Sequence, residues 1–196
     1  MKKRYNYNKE SLPRPILDGR DDFINLYYQA WELAFKNIEY INMSMTDIAK
    51  LDDSFDFIYS SLAFHYIKDF DAFAKEMYSV LNVGGQLLFS QEHPIITATI
   101  DGNGHFNKNL KGKRVSYTFS NYNEPGERKV HWYVDGVIKY HRTFSNIINA
   151  LTKAGFVIEQ MIEQNDPAVM EAEGTDDKSR KAKMVPISVC FKARKL

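Results

Sequence analysis

The segment from Ser54 to Pro94, SFDFIYSSLAFHYIKDFDAFAKEMYSVLNVGGQLLFSQEHP, constrains the fold more than any other part of the chain. Its first apolar run, Phe55 to Tyr59, is short and continuous, as in a strand buried on both faces. Phe70, Phe73, Ala74, Met77, Tyr78 and Leu81 then recur at three- and four-residue steps, which marks one apolar face of a helix. Asn82-Val83-Gly84-Gly85 is expected to stop that helix, with glycine in the left-handed C-cap conformation. Gln86 to Ser90 is the next strand. Strand, helix and strand of these lengths make a parallel βαβ unit. Such crossovers are almost always right-handed, and ligands bind beyond the carboxyl ends of their strands. Ser60-Ser61-Leu62 and Gln91-Glu92-His93 occupy those ends and are therefore expected to border a crevice.

Elsewhere the pattern is consistent with an α/β chain. Residues 1–19 are polar and read as an arm or loop. Arg20 to Lys36 carries Phe23, Leu26, Tyr27, Ala30, Trp31 and Ala34 at helical spacing. Ile38 to Met43 alternates as a strand does. Residues 101–128, rich in Gly, Asn, Lys and Pro, predict an irregular excursion. Asp135-Gly136, between His131–Val134 and Val137–Tyr140, predicts a two-residue hairpin turn. A helix over Phe144, Ile147, Ile148 and Leu151 should close at Gly155. Strands are expected at Phe156–Ile162 and Ile187–Phe191, joined by the polar stretch from Asp166 to Lys183.

Composition excludes several classes. With 196 residues, 44% hydrophobic and 26% charged, the chain has material for one sizeable core. A net charge of +1 gives no reason to expect nucleic acid or an anionic membrane as partner. One cysteine, Cys190, excludes an internal disulfide and a cysteine-rich zinc site; its alternating apolar context suggests packing. No apolar run reaches the ~20 residues of a membrane span, and the N-terminus does not read as a signal peptide, so a cytoplasmic setting is expected. His65, His93, His131 and His141 show no close helical ligand spacing, so no metal is expected.

Phe55-Asp56-Phe57-Ile58, Leu62-Ala63-Phe64-His65 and Leu81-Asn82-Val83-Gly84-Gly85 resemble, in order and spacing, the second half of a class I S-adenosylmethionine-dependent methyltransferase of the small-molecule type 11 group. Residues 134–163 resemble the later hairpin, helix and penultimate strand of the same group. The resemblance covers about residues 38 to 195 and implies a Rossmann-like, mostly parallel sheet with an antiparallel last strand, Ile187 to Ala193. It implies an N-terminal arm and helix over 1–37 and a methyltransferase-like domain over 38–196. Two family features are unmatched: an Asp-x-Gly-x-Gly-x-Gly loop, where glycines let the cofactor approach the backbone, and the acid that holds the ribose. Only Ile16-Leu17-Asp18-Gly19 comes near. The fold is therefore expected to be N-terminally incomplete, leaving an open edge beside Phe55–Tyr59. That edge would be covered by residues 10–19, by exchanged elements or by a homodimer.

Residue by residue, the resemblance implies S-adenosylmethionine as cofactor and a small-molecule methyl acceptor. Asp47 and Ile48 would lie by the adenine, and Ser60, Ser61 and Leu62 beside the methionine portion. Asp47, or Thr46, also reads as the start of a short helical turn, and the serines read equally as loop caps. His65 and Tyr66 are expected as pocket wall, and Glu92 and His93 as groups for a polar acceptor. His141 and Arg142 would approach the same pocket, although Arg142 also suits a surface ion pair. Tyr117, Phe119, Tyr122, Trp132, Tyr133 and Tyr140 suit a lid or ordinary packing. A non-catalytic, methyltransferase-like binding module is the alternative reading.

Overall fold

The computed structural model describes residues 41–100, 104–163 and 183–196. Contacts divide the chain into two units at Met45, and the second, Thr46–Leu196, holds the sheet. The helix expected over 20–36 and residues 38–40 of the expected first strand lie outside the described residues. Ile41–Ser44 form no strand. A 3-10 turn, Met45–Leu51, leads into strand β1 (Phe55–Ser60).

Helix α1 (Phe70–Val80) follows β1 after a short 3-10 turn at Phe64–Tyr66. Asp69 caps it, its carboxylate accepting the Ala72 N–H at 2.9 Å. The helix ends at Val80, earlier than the glycines, because Leu81 turns extended and pairs with Phe55. Strand β2 (Leu81–Glu92) then resumes parallel pairing at Gln86 opposite Phe57, so residues 82–85 bulge out of the ladder. Gly84 takes φ +81 within that bulge, and a Cβ on Gly85 would lie 2.8 Å from the Asn82 carbonyl. The glycines thus serve the bulge and not the helix cap, which corrects the expected C-cap.

A one-turn helix α2 (Pro94–Thr97) leads to hairpin β3 (His105–Lys108) and β4 (Arg114–Thr118). The stretch expected to be irregular therefore carries ordered pairing. Strands β5 (Gly126–Trp132) and β6 (Val134–His141) form a second hairpin. Its reversal lies at Tyr133, with Trp132 opposite Val134, and not at Asp135-Gly136. Tyr133 and Gly136 both have positive φ, 57° and 79°. The Asp-Gly pair supplies a bulge opposite His131, whose Nδ1 lies 2.6 Å from Asp135 Oδ1. Helix α3 (Phe144–Ala154) has a Thr143/Asn146 capping box and closes at Gly155 with φ +108, as its sequence predicts.

Strands β7 (Phe156–Glu163) and β8 (Ser188–Lys195) complete a four-stranded sheet of order β1-β2-β8-β7. The β1–β2 pair is parallel, and β8 runs antiparallel to both its neighbours. This is a Rossmann-like α/β sheet with an antiparallel last strand. Leu87 and Phe89 of β2 share one face with Val189, Phe191 and Ala193 of β8. Against that face pack Phe73 and Met77 of α1 with Ile147 and Leu151 of α3. Phe89 and Phe191 stack at 5.2 Å, and Phe64 meets Phe89 at 4.8 Å. Each fully buried side chain of this size contributes about 1.5–3 kcal/mol. On the opposite face Phe57 and Tyr59 are more than half exposed, and β1 has no further strand neighbour among the described residues.

Two glycines separate strain from crowding. Gly84 has positive φ with nothing within 4 Å of an added methyl, whereas a Cβ at Gly155 would meet the Tyr78 ring at 2.8 Å. Gly84→Ala should cost about 1 kcal/mol in urea unfolding, and Gly155→Ala at least twice as much. Equal losses would contradict the packing of α3 on Tyr78.

Candidate active site

The chain leaves β1 through a strained residue. Leu62 has φ +50, costly for a side chain branched at Cγ and held only where neighbours fix it. They do so here: its N–H donates to the Ser90 carbonyl at 2.9 Å and lies 3.1 Å from Ser90 Oγ. Ser61 Oγ is 3.5 Å from the same hydroxyl. The carboxyl ends of β1 and β2 are therefore tied together, with Leu62 and Ser61 left exposed. Asp47 sits in the first turn of the preceding 3-10 helix and pairs with Lys50 at 2.8 Å, while Ile48 packs against the core.

At the end of β2 the structure gathers His65, Tyr66 and Glu92. His65 Nδ1 accepts the Glu92 N–H at 3.3 Å, and the His65 and Tyr66 rings lie 4.2 Å apart. The Glu92 carboxylate bonds Lys139 Nζ, whose side chain is only 7% exposed against 23% for Glu92. Burial, with the Glu92 charge as a smaller cause, raises the phenols of Tyr66 and Tyr117. Lys139 belongs to this cluster although the sequence reading did not include it, and periodicity could not have found it. In β6 the pattern is inverted: Ile138 points outward, whereas Lys139 and His141 are buried. On β5 the residue opposite Lys139 is Arg128, also buried, which donates to the carbonyls of Ala98, Glu127 and Glu124. One face of the hairpin is thus lined with cations.

His93 and His141 belong to other networks. His93 Nδ1 accepts the Ile95 N–H, so Nε2 carries the proton toward Glu163 Oε1 at 2.9 Å. His141 Nε2 must donate to the Tyr122 carbonyl, which only accepts; Nδ1 then accepts from Thr97 Oγ1, both at 2.8 Å. Both rings are about 1% exposed, and their inward bonds are structural. Among the described residues Arg142 has no ion-pair partner: its guanidinium donates to the carbonyls of Phe64, Lys68 and Tyr140 and lies over the Phe70 ring. It lines an open groove of about 430 Å³ with Asp69, Asp71 and Asn146. Burial lowers it to about 10, so it stays cationic at neutral pH. Of the expected lid, Tyr122 packs on His141, Tyr117 stacks with Phe119, and Tyr133 is exposed.

Burial lowers all three inner histidines, His65 to about 4, with Glu92 opposing and Lys139 and Arg142 reinforcing that shift. Neutral in the fold, they protonate first in the unfolded chain, whose histidines titrate near 6.5. Stability is therefore full above about pH 6.5 and falls as pH drops from there towards 4, by roughly 3 kcal/mol from His65. His65→Asn, which keeps an acceptor for the Glu92 N–H, should flatten this decline in pH-resolved urea unfolding. An equally steep decline in the variant would contradict the assignment.

Comparison with known proteins gives the chain's family. The Methyltransferase domain family matches residues 21–89, which include β1, α1 and most of β2. A solved structure from Listeria monocytogenes, provisionally assigned as an S-adenosylmethionine-dependent methyltransferase, is 30% identical with a TM-score of 0.69. That match covers 80% of this chain and 68% of the other. An S-adenosylmethionine-dependent methyltransferase from Mesorhizobium loti is 33% identical, with a TM-score of 0.63, over 73% of this chain and 62% of its own. An uncharacterised Haemophilus influenzae protein is 42% identical over 123 residues, 62% of this chain; the chain spans about half of that relative's length (48%). The matched sequence and the shared fold agree: the chain belongs to the class I S-adenosylmethionine-dependent methyltransferases.

Proposed function

We propose that the chain binds S-adenosylmethionine beyond the carboxyl ends of β1 and β2 and transfers its methyl group to a small-molecule acceptor. The observation that carries this reading is the Leu62 tip: a left-handed, exposed backbone pinned to Ser90 where the family runs its cofactor. The fit is partial. Ser60, Ser61 and Leu62 offer backbone along the methionine portion. Asp47, with its side chain 39% exposed, has a carboxylate open to an exocyclic amine, and Ile48 supports it from the core. The sequence has no Gly-x-Gly-x-Gly segment to cradle the amino-acid end. When bound, the cofactor supplies a methyl group on a sulfonium, a good leaving group. The protein's work is then orientation and exclusion of water, which can lower a barrier by about 7–11 kcal/mol. Tyr66, Glu92 and His65 stand on the acceptor side, with His65 neutral and structural.

The unmatched glycine loop favours a second reading, a non-catalytic binding module of the same descent. Titration calorimetry separates the two. Binding should be weaker than micromolar, because each lost charge-assisted bond costs about 1.5–3 kcal/mol, or one to two decades. Asp47→Ala should weaken it at least about tenfold further, while His65→Asn leaves it within a few-fold. No heat with millimolar S-adenosylmethionine or S-adenosylhomocysteine would favour the module. Submicromolar affinity would contradict the partial fit and make Asp18-Gly19 the first place to look for the missing cradle.

A further inference from the structure

The acceptor side carries a chemical bias in its buried charges. Glu92 ends β2, two residues beyond Ser90, which anchors Leu62. Its backbone N–H is held by His65, and its carboxylate is held by Lys139, so the side chain is fixed from both ends. The carboxylate is the solvent-facing member of the pair, and the ammonium stands behind it. Arg128, directly across the ladder from Lys139, is bound to three carbonyls and adds a second buried positive charge. Tyr66, beside His65, supplies an aromatic wall. The Glu92 carboxylate fronts the ammonium and the Glu124 charge faces the guanidinium, and from behind them the two cations attract negative charge more strongly than they would in water, because they are largely desolvated. They favour an oxygen that becomes anionic. A carboxylate next to that oxygen can take its proton.

We propose that Glu92 is the proton acceptor for a planar, weakly acidic hydroxyl, a phenol or enol, and that Lys139 is the positioning residue that holds Glu92 and steadies the developing oxyanion. The inference rests on the methyltransferase reading. In the step, the acceptor oxygen forms its bond to the methyl carbon as the carbon–sulfur bond breaks. The electron pair of that bond returns to sulfur, and the hydroxyl proton passes to Glu92 and from there to water. The two residues act on the acceptor with opposite sign: the carboxylate favours the protonated phenol, the ammonium the phenolate.

The probe is 4-nitrophenol, whose ionised form has its own visible absorption band. It is titrated with the full chain saturated with S-adenosylhomocysteine, whose binding is followed separately by calorimetry. Relative to wild type, Glu92→Gln should move the bound probe's ionisation towards the phenolate by at least about one pH unit. Lys139→Met should move it the other way. Because either single variant breaks a largely buried ion pair and can unfold, the double variant Glu92→Gln/Lys139→Met is included. It replaces the pair with neutral groups and should return the probe to its free ionisation. A shift of the stated sign in a single variant that the double variant abolishes supports the proposal. Retained calorimetric binding with no probe response, or with shifts of one sign, overturns the inference alone. Absence of S-adenosylhomocysteine binding in wild type overturns the methyltransferase reading and the inference with it.

Discussion

The rest of the described structure hangs on the double pairing of one strand. β2 is bonded to β1 on one side and β8 on the other, and its alternation decides which face is core. Leu87, Phe89 and Gln91 point to the helices, while Gln86, Leu88, Ser90 and Glu92 point the other way. A one-residue slip would bury Ser90 and Glu92 and expose Phe89. The register therefore places Ser90 under Leu62 and Glu92 against His65 and Lys139. Core packing and site geometry are consequences of the same ladder.

The polarity of the mouth follows from how the second hairpin is used. A hairpin that merely covered a core would bury Ile138 and expose Lys139. This one does the reverse, with Arg128 and Lys139 inward and their charges met by backbone carbonyls and Glu92. Replacing a buried ion pair by apolar residues is often neutral or stabilising. The arrangement is therefore a weak source of stability, and it suits the acceptor side proposed above. The histidines support it from behind. His141 ties α2 to Tyr122 and His93 ties β2 to Glu163, each as a neutral ring.

Much of this was legible in the sequence. The parallel β1–β2 pair, the helix between them and α3 with its Gly155 cap follow from spacing and turn chemistry, and the antiparallel last strand follows from the family resemblance. The misses have a common cause. Asp135-Gly136 and Gly84-Gly85 correctly signal positive φ, but local chemistry does not say whether such a residue closes a turn, caps a helix or forms a bulge. The ladder decides that, through Leu81 opposite Phe55 and Trp132 opposite Val134. The cluster of His65, Tyr66 and Glu92 was traceable in the sequence because its members lie at or beyond strand ends. Lys139 was not, since its burial contradicts the apolar pattern of its own strand. His93 and His141, chosen for their chemistry, proved to be committed to internal bonds.

The central claim is that the joined ends of β1 and β2 form the cofactor site. Its most direct test is the amide nitrogen–proton spectrum of the full chain, assigned and titrated with S-adenosylhomocysteine. The account predicts that the largest shifts fall on Asp47–Ile48 and Ser60–Leu62, with smaller ones at Ser90–Glu92, while α3 and the outer strand β7 stay still. Shifts centred on the groove beside Arg142, or spread evenly over the sheet, would contradict it.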